Sequence, residues 1–226
     1  MVADSGALNL RAKEIGKLLH EARIVRELPS ESCAEAIGVT KERYEEYEQG
    51  ERAPSLPEWE CLAYILKISI KEFWQPPSTT RGEEGAPTAD MSQLIYLRQR
   101  MIGAKLREAR VSKGLSFSEL ANSIGFKESD IIAYELGEKP IPIPKLEILS
   151  ETLNHSIKEF LDQHGPVGEW EKHKQAVKDF EKLPLELQEF VSKPINEPYL
   201  ELAVRLSEIS VDRLRAVAEG LLEITY

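Results

Sequence analysis

Residues 28–55 read "LPSESCAEAIGVTKERYEEYEQGERAPS". From Ser30 to Ile37 the spacing predicts a short helix that stops at Gly38, the residue type that accepts the left-handed turn after a helix. Thr40 stands where a cap belongs, and a second short helix runs from there to Gly50. Pro57 then suits the opening of another helix, where a missing N–H is harmless. The stretch is two short helices joined by a glycine turn. The second is acidic, with Glu42, Glu45, Glu46 and Glu48 against Lys41 and Arg43.

The pattern occurs again 87 positions later, at residues 115–142, as "LSFSELANSIGFKESDIIAYELGEKPIP". In that register Ile15-Gly16 falls on Ile102-Gly103, and Glu21-Ala22-Arg23 on Glu108-Ala109-Arg110. Tyr47-Glu48 falls on Tyr134-Glu135, Pro57 on Pro144, and "IKEF" at 70–73 on "IKEF" at 157–160. One register held without a gap over this length marks an internal duplication. Between the copies lies "QPPSTTRGEEGAPTAD", residues 75–90, whose composition is that of a linker. The expected organisation is an N-terminal tail at 1–10, a first domain at 11–76, a linker at 77–91, a second domain at 92–163 and a C-terminal helical region at 164–226.

Within each copy the spacing is helical. Ile15, Leu18, Leu19 and Ala22 hold a three-to-four period, as do Ile102, Leu106 and Ala109. A fourth helix opens at Pro57 or Pro144, and "SIKEF" supplies a short fifth with Ser69 or Ser156 as cap. The fold class expected is all-α. Five short helices with a glycine turn between the second and third resemble the phage-repressor and Cro-like (XRE) helix-turn-helix family. The two quoted stretches carry that resemblance, through the leucine, the alanine, the turn glycine and the Tyr-Glu-x-Gly ending. It covers about 11–74 and 98–162, and implies two lambda-repressor-like domains that bind DNA in a sequence-specific manner through the third helix. It also implies structural ion pairs between the first and third helices, Arg23 with Glu48 and Arg110 with Glu135.

A recognition helix offers its N-terminal outward side chains to base edges. Those are Lys41, Glu42, Arg43, Glu45 and Glu46 in the first copy, and Lys127, Glu128, Ser129 and Asp130 in the second, with Ile132 and Ala133 beside them. Lysine or arginine can address guanine, and a carboxylate can accept from cytosine. Arg26, Ser30, Arg52, Lys113 and Lys139 are the phosphate-contact candidates. Affinity for DNA comes largely from neutralised phosphates, so the carboxylates oppose binding unless managed. Lys41 with Glu45 and Arg43 with Glu46 have the spacing of intrahelical pairs. Residues 10–76 hold ten basic and thirteen acidic side chains, residues 97–163 ten of each, so neither copy is a basic module.

Two readings therefore stay open. One is a transcriptional regulator whose two weak modules engage one duplex by tethering; a 16-residue linker spans about 20–24 Å in root-mean-square terms. The other is a protein–protein adaptor that keeps the fold and offers its acidic third helices to a protein partner.

The C-terminal region carries helical faces at Trp170, Val177 and Phe180, then at Leu200, Ala203 and Leu206. Leu214, Val217, Leu221 and Leu222 form a last amphipathic stripe, the candidate surface for a homodimer. The other totals bound the function. The net charge of −10 argues against indiscriminate adhesion to nucleic acid or anionic membrane. No run is long and apolar enough to span a bilayer, and no secretory signal is read at the start, so a cytoplasmic protein, associated with the nucleoid if it binds DNA, is expected. Cys33 and Cys61 fall on Leu120 and Ile148 of the other copy and read as core. With the histidines scattered, no metal or cofactor is expected, and no catalytic motif stands out.

Overall fold

The computed structural model describes residues 5–70 and 91–208. Among them every regular element is helical, and the chain is all-α. The first copy comprises α1 (Ser5–Val25), α2 (Ser30–Ala36), α3 (Lys41–Gln49) and α4 (Leu56–Leu66). The second comprises α5 (Met91–Ser112), α6 (Phe117–Ile124), α7 (Glu128–Glu135), α8 (Ile143–Thr152) and a 3-10 turn at Ile157–Phe160. Then come α9 (Pro166–Glu181), α10 (Leu185–Val191), a 3-10 turn at Pro194–Asn196, and α11 (Glu197–Ser207).

The local signals act as their chemistry dictates. Gly38, Gly50 and Gly125 take positive φ where helices end. The Thr40 hydroxyl accepts from the Arg43 N–H at the start of α3. Ser116 and Glu119 form a reciprocal capping box on α6. The cores use matching positions: Ile15, Leu19, Ala34, Ile37 and Tyr47 are buried, as are Ile102, Leu106, Ala121, Ile124 and Tyr134.

Gly16 and Gly103 have a different task. A Cβ on Gly103 would lie 2.5 Å from the Tyr134 carbonyl oxygen and 2.7 Å from that of Glu135. One on Gly16 would meet the carbonyls of Tyr47 and Glu48 in the same way. Each first helix thus touches the backbone of its third helix. Gly103→Ala is expected to destabilise the protein by about 1–3 kcal/mol or more, because backbone has to shift. Urea denaturation of the full chain reads this directly, and an unchanged midpoint would contradict the close approach.

The two copies are packed together rather than merely strung on a linker: residues 1–172 form one compact unit. Their contact is reciprocal. α4 lies on α5, and the matching α8 lies on α1. Ser55 and Pro142, which occupy the same place in the two copies, face each other in an isolated antiparallel bridge, and the Ile143 N–H donates to the Pro54 carbonyl at 3.0 Å. Arg98 holds Glu60 through two hydrogen bonds of 2.9 and 2.7 Å. The matching Arg11 holds Glu147 at 3.2 and 3.0 Å. Matching residues that meet each other, and cross-pairs that repeat with exchanged copies, are the marks of an approximate two-fold axis.

That axis is imperfect. Arg98 and Glu60 are 4% and 2% exposed, whereas Arg11 and Glu147 are 25% and 24% exposed. The buried pair is closed over by the end of the second copy: Arg98 also donates to the Phe160 carbonyl, and the Asp162 N–H donates to Glu60. Burial pushes the Glu60 carboxyl upward, while Arg98 and the Asp162 N–H pull the other way.

Several boundaries differ from those read in the sequence. The expected tail at 1–10 is helical from Ser5 onward, because α1 continues upstream of Arg11. The second copy does not end at 163. Val167 is buried, the Trp170 ring stands edge-on to Tyr64 at 5.2 Å, and Ser69 donates to Glu171 at 2.5 Å. The first turns of α9 therefore belong to the first unit, which runs to Lys172. Met91, placed in the linker, is the first residue of α5 and is buried; the rest of the linker lies outside the described residues.

The second unit starts at His173. It contains α10, a helix with no counterpart in the sequence reading, and α11. Phe190 and Tyr199 meet with ring centroids 6.3 Å apart, and Asn196 donates to the Phe190 carbonyl. Leu185, Ile195, Tyr199 and Val204 are exposed. Leu214, Val217, Leu221 and Leu222 lie outside the described residues.

Candidate nucleic-acid interface

α3 and α7 are held from behind by ion pairs of the same design. Arg23 Nε and Nη2 donate to the two oxygens of Glu48 at 2.5 and 2.8 Å, and Nη1 donates to the Leu28 carbonyl. Arg110 does the same with Glu135, at 2.6 and 2.9 Å, and with the Leu115 carbonyl. Its guanidinium also lies 3.9 Å from the Phe117 ring centroid. Burial acts to raise the Glu48 carboxyl, but hydrogen bonds from Arg23 and His20 outweigh it, and the group sits below its ordinary range. Each pair ties the first helix of a copy to the C-terminal end of its third helix, and through the carbonyl to the loop before the second.

The outward face of α3 is more internally engaged than its sequence suggests. Lys41 and Glu42 are exposed. The Glu42 carboxyl is held low by the helix N-terminus and Thr40. Arg43 folds back along the helix: its Nε donates to the Tyr47 hydroxyl at 3.3 Å, and Nη1 is 3.7 Å from Glu46. The Tyr47 hydroxyl in turn donates to Glu58, which accepts from the Ser55 N–H and hydroxyl at the two-fold bridge. Arg43 is thereby connected, bond by bond, to the contact between the copies. The expected Lys41–Glu45 pair does not form; Glu45 instead accepts from the Ser30 hydroxyl at 3.2 Å. Ser30 sits at the start of α2, close enough to compete with Lys41 for that carboxylate.

On α7, Lys127 is the N-cap residue rather than part of the helix. Glu128 and Ser129 are exposed. Asp130 accepts from Lys139 at 2.7 Å. Ile132, expected to point outward, is half-buried together with Ala133.

Every cationic phosphate candidate already has an internal acceptor. Arg52 lies 2.8 Å from Glu46. Lys139 holds Asp130, Arg26 donates to the Leu66 carbonyl, and Lys113 donates to the Thr152 carbonyl. Arg26 and Lys113 close the ends of helices within their own copies. Arg52 and Lys139 are about half exposed. Exposed pairs of that kind contribute about 0–1 kcal/mol, so exchanging a carboxylate for a phosphate costs little on the cation's side. The carboxylate left behind then faces the phosphate unpaired.

The residues that sequence reasoning missed are Arg11, Glu60, Arg98 and Glu147. Their signal was present: both arginines and both glutamates recur at the 87-residue offset. Glu60 also stands in a mostly apolar helix, "LPEWECLAYIL", where the other glutamate, Glu58, serves the helix cap. Arg11 also reaches Glu14 at 2.8 Å and Arg98 the Phe160 carbonyl within their own copies, but the carboxylates of Glu60 and Glu147 are each held by the arginine of the other copy.

No family model, curated protein or solved structure matches this chain. Among the described residues, no helix is long and apolar enough to cross a membrane.

Proposed function

We propose that this chain is a sequence-specific DNA-binding transcriptional regulator of the helix-turn-helix class, in which two repeats act as the two halves of a dimer joined in one polypeptide. The observation that carries the reading is the reciprocal contact at Ser55 and Pro142, with its two matching arginine–glutamate cross-pairs. A two-fold relation between copies relates α3 to α7, as the two halves of an operator require of a dimeric reader. Packing replaces tethering as the device that combines two weak modules. Lys41, Arg43 and one glutamate are the base readers of the first half; Lys127, Glu128 and Ser129 serve the second. Arg52 and Lys139 supply phosphate contacts by leaving Glu46 and Asp130. The working location is cytoplasmic, and the C-terminal stripe at Leu214, Val217, Leu221 and Leu222 brings two chains together.

The test is selection of duplexes from a random pool by the full chain, followed by affinity across a salt series. A selectable site and a steep fall in affinity with salt are expected. Lys41→Ala with Arg43→Ala should abolish selection at one half of the site and leave the other half readable. Selection unchanged at both halves would remove α3 as a reader.

A protein–protein adaptor is the second reading, favoured by the pairing of Arg52 with Glu46 and Lys139 with Asp130. Those pairs leave α3 and α7 with net acidic outer faces that suit a basic protein partner. No selectable site and a weak, flat salt response would decide for it.

A further inference from the structure

A cavity of about 320 Å³ opens between α5 and the end of the second copy, lined by Lys105, Glu108, Ser112, His155, Glu159 and Phe160 together with Ala109. Much of its polar lining is not repeated in the sequence of the first copy. The matching residues there are Leu18 for Lys105, Val25 for Ser112 and Ile68 for His155. Leu18 and Ile68 pack against the core. Three apolar side chains of one repeat have thus become an amine, a hydroxyl and an imidazole in the other, around a floor that stays buried at Phe160.

The groups are arranged with opposite charges on different elements. Lys105 donates to the Glu159 carbonyl at 2.5 Å, which leaves two ammonium protons for another acceptor. His155 Nδ1 lies 2.8 Å from Glu159, which fixes the ring and leaves Nε2 for a ligand. Glu108, one turn from Lys105 on α5, is exposed and outside any ion pair among the described residues. A volume near the lower end of ligand pockets, with a cation, an imidazole, a carboxylate and an aromatic floor, suits a small zwitterion. We infer that this cavity binds a free α-amino acid, its carboxylate held by Lys105 and its ammonium by Glu108 and the accepting Nε2 of His155, with Phe160 beneath its side chain.

The cavity also touches the parts that hold the molecule together. Phe160 gives its carbonyl to Arg98 of the buried cross-pair, and Ala109 and Ser112 flank Arg110, which holds α7.

The inference goes beyond the proposed function, and its test needs no DNA. The full chain is titrated calorimetrically with each of the twenty common L-amino acids in the millimolar range. At least one should bind saturably at one site per chain. Lys105→Leu with His155→Ile, which installs the first copy's own residues and so is compatible with folding, should weaken that binding by about 10- to 100-fold. A thermal melt confirms that the variant is folded. Blocking either charge of the ligand, by N-acetylation or by conversion to the amide, should abolish binding. The inference is overturned if no amino acid binds, if the variant binds as tightly as the native chain, or if the blocked ligands bind equally well.

Discussion

Arg98→Met lowers the unfolding free energy by about 3–5 kcal/mol, because it strands the Glu60 carboxylate in a site that water does not reach. The Glu60 side chain is 2% exposed and, among the described residues, would keep only the Asp162 N–H as a donor. In a chain of this size each kcal/mol moves the melting temperature by about 2–4 °C, so a fall of about 6–20 °C is expected. The matching substitution provides the control. Arg11→Met leaves Glu147 24% exposed and reachable by water, and should cost about 1 kcal/mol or less. Removing both charges, with Arg98→Met and Glu60→Leu, should recover most of the loss, since an apolar pair of similar volume replaces a buried ion pair without stranding a charge. Denaturant titrations of the three variants distinguish these outcomes. Equal costs for Arg98→Met and Arg11→Met would mean that the two cross-pairs do not differ in burial.

The second large effect concerns DNA, and it rests on the proposed function. Two readers on a flexible tether tolerate changes in the distance between half-sites, whereas two readers docked on one another do not. Inserting about five base pairs between the halves of a selected site rotates one of them to the opposite face of the duplex. The chain then loses the base contacts of that half. Each good contact discriminates by about 1–3 kcal/mol, so losing two of them weakens binding by about 30-fold or more. Adding a further half turn restores the facing but not the distance, and should not restore affinity. The comparison is made at one salt concentration, because the phosphate term changes steeply with ionic strength. Affinity that is indifferent to the insertion would show that the halves part company on DNA and would end the paired-unit reading.

Much of the fold was legible because its determinants are local. The ends of α2 and α3, the cap at Thr40 and the entry at Pro57 follow from residues within a turn of the place they act. The duplication made much of the core legible as well, since most positions that are apolar in both copies are buried, although Leu10 with Leu97 and Ile24 with Val111 are apolar in both and exposed. What sequence reasoning lacked was information that no single copy contains. Arg11 and Arg98 look like ordinary charges on the exposed face of a first helix until the partner copy is in place. The start of α9 was assigned to the tail because its anchor, Trp170 on Tyr64, spans more than a hundred residues. At the candidate interface, the identity of each side chain was readable but its commitment was not. Arg43 could pair with Glu46, face a base or turn back onto Tyr47, and the choice depends on the Glu58–Ser55 network beneath it. The Lys41–Glu45 pair failed because Ser30, on a different helix, reaches the same carboxylate.

The bridge between Ser55 and Pro142 joins two places in a single molecule. Halves that belong to separate chains must find each other, and dilution separates them by mass action. Here the two are made in equal number and arrive together, so their association does not vary with the amount of protein in the cell. The first molecule synthesised already carries the complete pair.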